Sequence, residues 1–212
     1  MKNNEHYNLK ITKYNNYKDY NQISNLIKNQ FYDFYSANVK ISYPYIIGFE
    51  KNKYIYSALG LRPAQYDKLF LEQYFKHPIE KHIYLNKNLI IKRNNIIELG
   101  SMYSKNCLNI YKLLIVLLNI TTFTNYKWSV FTSTENLYNF LIKQGYSLEN
   151  LSYADRNKIT DKKNWGMYYD TKPRIVLMDN KKSFKNILSN FKNYIFLSKY
   201  QKELFLIKKQ IT

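Results

Sequence analysis

The chain changes hydrophobic period within one stretch, Ile96 to Leu118 (IIELGSMYSKNCLNIYKLLIVLL). Ile96, Ile97 and Leu99 read as a buried strand interrupted by Gly100, whereas Leu108, Tyr111, Lys112, Leu114, Ile115 and Leu118 recur at helical spacing. A strand must therefore run into a helix here. The joint, Ser101 to Asn106, carries hydroxyl and amide side chains able to cap a helix start and backbone N–H groups able to meet an anion. Any fold for this chain has to accommodate that unit.

The flanking sequence supplies more elements. Tyr7 to Lys13 alternates as a strand, and Tyr17 to Phe34 carries an amphipathic helix on Tyr20, Ile23, Leu26, Ile27 and Phe31. Tyr43 to Phe49 and Lys53 to Leu61 read as strands joined by a short polar turn, hence antiparallel. Lys68 to Phe75 reads as a short helix, and Ile79 to Asn94 is ambiguous. After the central unit come a strand at Lys127–Ser133, a helix at Thr134–Gln144 ending at Gly145, a strand or loop at Gly145–Leu151, an irregular polar stretch to Asp170 and a strand at Arg174–Met178. From Lys181 to Ile211 a tail places Phe184, Ile187, Leu188, Phe191 and Ile195 on one stripe, with Asn193 and Ser198 as weak interruptions. Antiparallel strands early and strand–helix alternation later describe an α/β chain with a mixed sheet and helices on its faces. Residues 1–179 are expected as the main domain and 180–212 as a basic amphipathic helical tail.

Charge narrows the partners. Lys and Arg number 33 against 15 Asp and Glu, a formal net charge of +18, so the surface attracts anions: nucleic acid, anionic lipid or an acidic protein. A chain-wide drift towards Lys, Asn, Ile and Tyr also raises this charge, and no recognition motif accompanies it, so nucleic acid is not the partner expected. One cysteine, Cys107, excludes an intramolecular disulfide and offers no metal cluster. No run reaches the roughly 18 apolar residues of a membrane span, and the start lacks a signal-like apolar core. A cytoplasmic protein is expected, able to touch an anionic membrane from that side through its tail and to form a homodimer.

Three sets of residues carry more than pattern. Leu59-Gly60-Leu61-Arg62-Pro63-Ala64 is followed by Leu69-Phe70-Leu71-Glu72-Gln73-Tyr74 and Pro78-Ile79-Glu80. Next comes Glu98-Leu99-Gly100-Ser101. Last come Phe131-Thr132-Ser133-Thr134, Ala154-Asp155 and Trp165-Gly166-Met167-Tyr168-Tyr169. In order and spacing they resemble the thermostable hemolysin family, over roughly Tyr43 to Met178. The resemblance implies a GNAT-like fold, similar in outline to autoinducer synthases, with a mixed, mostly antiparallel central sheet. It implies an acyltransferase moving a fatty acyl group from a thioester on acyl carrier protein or coenzyme A to the amine of an amino acid or similar small molecule. No tightly bound cofactor is implied; the acyl-phosphopantetheine thioester is a co-substrate. The family's name implies instead a lytic, membrane-associated protein acting through the tail.

In a GNAT-like fold the pantetheine arm lies where the fourth strand splays from its neighbour at a bulge, here within Ile96 to Ser104, and Gly100 suits a bulge because it lacks Cβ. Glu98 is the first candidate for general base, since burial between Ile97 and Leu99 would raise its pKa; alternatively it faces solvent or pairs with Arg62. Glu72 is the second candidate, or an ordinary exposed glutamate. Arg62 would hold an acceptor carboxylate, or pair with Glu72 or Glu98. Tyr103 would be general acid to the leaving thiolate, Ser101 a donor near the thioester, and Thr132 and Trp165 pocket residues. Gly100, Met102, Ser104, Lys105 and Asn106 would meet the acyl donor. The loop Ser104 to Asn109 has no glycine, unlike coenzyme A-binding GNAT enzymes, and a basic surface suits an acidic carrier, which favours acyl carrier protein as donor.

Overall fold

The structure, a computed structural model, describes residues 7–13 and 16–211. The chain runs β1 (Asn8–Lys13), α1 (Tyr17–Tyr35), β2 (Tyr45–Lys51), β3 (Tyr54–Pro63), α2 (Ile79–Lys87), β4 (Ile96–Ser104) and α3 (Cys107–Thr122). It continues with β5 (Trp128–Ser133), α4 (Glu135–Lys143), β6 (Leu148–Tyr153), β7 (Arg174–Asp179), α5 (Asn180–Leu188), α6 (Phe191–Ser198) and α7 (Gln201–Ile211). The described strands form one mixed sheet in the order β1-β2-β3-β4-β5-β7-β6, in which only β4 and β5 are parallel.

Local chemistry explains the joints. Asn52 and Lys53 both take positive φ, the conformation of a two-residue turn that matches strand twist, so β2 and β3 pair directly. The Asn106 side chain accepts from the Asn109 N–H and starts α3; Thr134 does the same for Leu137 at α4. Gly145, at φ +92°, ends α4. The short helix expected at Lys68–Phe75 is a 3-10 turn at Phe70–Tyr74, and the ambiguous stretch after it contains α2.

The sheet divides the core. On one face Ile97, Leu99, Phe131, Val176 and Met178 pack on α3, whose Leu113 to Leu118 are all buried. On the other face Ile96, Val130, Ile175 and Leu177 pack beneath the 3-10 turn and α2, and beyond them α1 lies over Ile46 and Ala58 with Ile23 and Ile27. Strand alternation puts Ile97 and Leu99 of β4 on the α3 face and Ile96 and Glu98 opposite.

The tail is helical, in three segments: Asn190 caps α6 with its side chain and α7 starts after Tyr200. Its expected stripe divides, for Phe184 and Ile187 are buried whereas Phe191 and Ile195 are exposed. Phe184, Ile187, Leu197, Tyr200, Leu204, Ile207 and Ile211 join the same apolar cluster as α3, and the Tyr126 hydroxyl donates to the Ile211 carbonyl at 3.0 Å. Among the described residues no helix is long and apolar enough to cross a membrane. Burying one large apolar side chain contributes about 1.5–3 kcal/mol, and a domain holds only about 5–15 kcal/mol in all. Truncation after Asp179 is therefore expected to abolish the cooperative thermal transition, as read by near-ultraviolet circular dichroism.

Candidate active site

The ladder between β4 and β5 pairs Ile96–Leu99 with Trp128–Phe131 and extends no further, whereas β4 itself continues to Ser104. On its other side β4 is bulged: Ala58 faces Tyr103 and Gly60 faces Gly100, so Ser101 and Met102 oppose Leu59 alone. Ser101 takes the left-handed conformation, φ +49°, that admits the extra residue. The bulge expected at Gly100 thus lies one residue on. Gly100 answers another constraint: a Cβ there would overlap the Tyr43 hydroxyl and lie 2.7 Å from the ring Cζ. On β3, a Cβ at Gly60 would fall 2.6 Å from Cδ2 of the same ring. The two glycines form a slot into which Tyr43 fits.

Where β4 leaves β5 a cavity of about 240 Å³ opens, lined from both faces of the sheet. Ile110 and Leu137 come from the α3 face, Phe31, Tyr35, Trp165 and Tyr168 from the α1 face, and Glu98, Gly100, Ser101, Met102, Tyr103, Ser104 and Thr132 from the edges of the gap. The opening is a window through the sheet. Trp165 reaches it because Gly166, at φ +46°, lets the chain press on the end of α1, where Met167 N–H donates to the Tyr35 carbonyl at 2.8 Å; a Cβ at Gly166 would collide with that carbonyl.

Glu98 is 1% exposed, and its carboxylate accepts the Leu71 N–H at 2.8 Å and the Phe70 N–H at 3.0 Å, with Arg62 Nε 3.9 Å away. Burial raises its pKa to about 7; the two amides and Arg62 restrain the shift. It is the acidic side chain on the cavity wall, and the pairing with Arg62 read as one alternative is present. Tyr103 also lines the cavity, and partial burial raises its phenol, keeping it a proton donor. Burial and the nearby Glu98 raise Tyr43 as well, against the lowering effect of Arg62.

Four expected site residues lie elsewhere. Glu72 is 5% exposed and faces a separate groove; it accepts from Leu69 and Ile79 N–H and from Arg93 Nη1 at 2.7 Å. Burial pushes its carboxyl up, but Arg93 and the amides outweigh that and lower it. It is a buried, ion-paired carboxylate, not an exposed helix glutamate, and it lies outside the cavity that Glu98 lines. Arg62, 7% exposed, is spent on the Lys68 and Ser42 carbonyls and the Ser42 hydroxyl, with its face on Tyr43, and so supports the site from behind instead of lining it. Lys105 lies over the Tyr56 ring at 4.9 Å, away from the cavity, and Asn106 is the α3 cap. Removing one partner of a buried pair costs about 3–5 kcal/mol, so Glu72→Ala is expected to lower stability by about 3 kcal/mol in urea denaturation.

Sequence reasoning missed Tyr43, Lys40 and the aromatic wall of Phe31, Tyr35, Phe70 and Tyr74. Phe70 and Tyr74 lie inside a motif singled out above, and residues 37–43 alternate buried and exposed, which turns Lys40 and Ser42 to the cavity mouth. Among 23 tyrosines nothing marked these out.

The family model described as thermostable hemolysin matches residues 14–184, most of the chain. The chain belongs to the thermostable hemolysin family. Among curated protein sequences nothing matches it significantly. Among solved structures it is similar to the AHL synthase LasI, at 9% identity and TM-score 0.58 over 86% of this chain and 94% of that one. It is also similar to FeeM, an N-acyl amino acid synthase from uncultured soil microbes, at 7% identity and TM-score 0.58 over 84% and 98%. A third is BjaI, a CoA-dependent acyl-homoserine lactone synthase, at 10% identity and TM-score 0.55 over 86% and 88%. At such identities the likeness establishes the fold, which is GNAT-like in this thermostable hemolysin family member.

Proposed function

We propose that the protein is an N-acyltransferase that moves an acyl group from a phosphopantetheine thioester to the amine of an amino acid or similar small molecule. The observation that carries this is the window between β4 and β5 with a buried carboxylate of raised pKa on its wall. The arm of a thioester is long and narrow, and such a gap admits it edge-on while the unladdered edge of β4 supplies backbone groups to the carbonyl. The names of LasI, FeeM and BjaI, synthases of acylated amines sharing this fold, support the same reading.

The reaction follows from the groups present. Glu98 takes a proton from the acceptor ammonium, leaving a neutral amine. The nitrogen attacks the thioester carbon; a C–N bond forms, the C–S bond breaks, and the nitrogen's surplus proton ends on the departing thiolate, relayed by the Tyr103 hydroxyl. The products are an amide, a free thiol and the proton held by Glu98, which returns to solvent. Because Glu98 must be ionised and titrates near 7, kcat/KM is expected to rise tenfold per pH unit below pH 7 and level off above it.

Acyl carrier protein fits better than coenzyme A as donor. The first turn of α3 is already capped by Asn106, and Lys105 is turned onto Tyr56, so little is left there to grip a pyrophosphate. A carrier needs one phosphate held and meets a surface of net charge +18. The test is mass spectrometry of lipids from cells making the protein and cells making Glu98→Gln. A new N-acyl species only in the former is expected; identical profiles would sink the proposal.

A further inference from the structure

The window separates two unlike environments. On the α3 face its wall is aliphatic, with Leu99, Ile110 and Leu137. On the opposite face it is aromatic: the Trp165 ring lies 5.5 Å from Phe70, 5.3 Å from Tyr168 and 6.1 Å from Phe31. Glu98 belongs to the aromatic side, because it accepts the Phe70 amide. A base must stand beside the amine it deprotonates, so the acceptor occupies the aromatic side and the flexible acyl chain the aliphatic one.

Charge then limits the acceptor. Among the described residues lining the cavity, the Lys, Arg, Asp and Glu side chains are Glu98 within and Lys40 at the exposed mouth. A zwitterion with one ammonium and one carboxylate matches that pair, whereas a further side-chain charge would be desolvated against rings without a partner. Six-membered and indole faces also attract the incoming ammonium and pack an aromatic side chain edge to face.

We infer that the acceptor is an α-amino acid with an aromatic or similarly bulky apolar side chain, packed against Phe31, Phe70, Trp165 and Tyr168, with its carboxylate received by Lys40. The inference rests on the acyltransferase reading and deepens it to a substrate class.

The experiment measures thiol release from a medium-chain acyl group on acyl carrier protein and on coenzyme A, with single amines added to the full-length protein. Phenylalanine, tyrosine and tryptophan are expected to exceed alanine, aspartate and lysine at least tenfold in kcat/KM. Phenylalanine is expected to exceed phenethylamine, which lacks the carboxylate, and Lys40→Ala should lower that ratio about tenfold, mainly through KM for phenylalanine. Lys40 is exposed, so the variant should fold. Equal or better use of small or charged amino acids, or an unchanged ratio in Lys40→Ala, would overturn the inference and leave the transferase standing. Release with no amine at all would overturn both.

Discussion

Glu98→Gln is expected to lower kcat/KM by 10²–10⁴, the usual contribution of a positioned base, while the protein still folds. The amide keeps the volume of a residue enclosed by Phe70, Leu71 and Arg62 and can still accept one backbone N–H. Folding has its own signature. The native carboxyl, at about 7, holds its proton more tightly than it would in the unfolded chain, near 4.5. Its contribution is therefore complete at low pH and is lost as pH rises from about 4.5 to about 7, amounting to about 3 kcal/mol. Urea denaturation of wild type against Glu98→Gln should show that difference disappear from the pH profile of the variant. A variant that retains full activity across the pH range removes Glu98 from the chemistry, and one with the wild-type stability profile contradicts its burial.

Gly100→Ala is the second large effect. The added methyl overlaps the Tyr43 hydroxyl, and the same ring already fills the space where a Gly60 side chain would stand on the neighbouring strand, with the Arg62 guanidinium over it. Overpacking of this kind costs about 1–3 kcal/mol, and more where nothing can move. Activity should fall further than stability, since any retreat of Tyr43 shifts β4 at the edge of the window. Combining Gly100→Ala with Tyr43→Phe removes the worst overlap and should recover part of the lost stability, measured as a double-mutant cycle with a favourable coupling. Additive losses in that cycle would mean that the slot does not exist.

The sequence made some of this visible and hid the rest for physical reasons. The strand-to-helix unit at Ile96–Leu118 was legible because its two periods are local, as was the odd charge at Glu98 in an apolar strand. The meaning of Glu72 was not, because Arg93, its partner, is 21 residues away and joins it only in the fold. Arg62 was read as either a ligand for substrate or a partner of Glu72 or Glu98; its bonds go to Ser42 and Lys68, far off in sequence from Glu98, which lies 3.9 Å from its Nε. Lys105 stood next to the right residues in sequence, yet it falls just past the end of β4 and lies over the Tyr56 ring. Tyr43 was hidden by composition, and only the two glycines facing it reveal that its place is reserved.

A sheet is ordinarily a partition, and the window between β4 and β5 makes this one a shared wall with a hatch. On the acyltransfer reading, the two substrates arrive from opposite sides and meet only at the opening, so occupancy on one side leaves the other approach clear. Such a geometry has a kinetic grammar: either substrate can enter first, both must be present before any bond breaks, and no acylated protein accumulates. Reciprocal rate plots at several fixed amine concentrations should therefore intersect, and the thiol should escape by the side its thioester used.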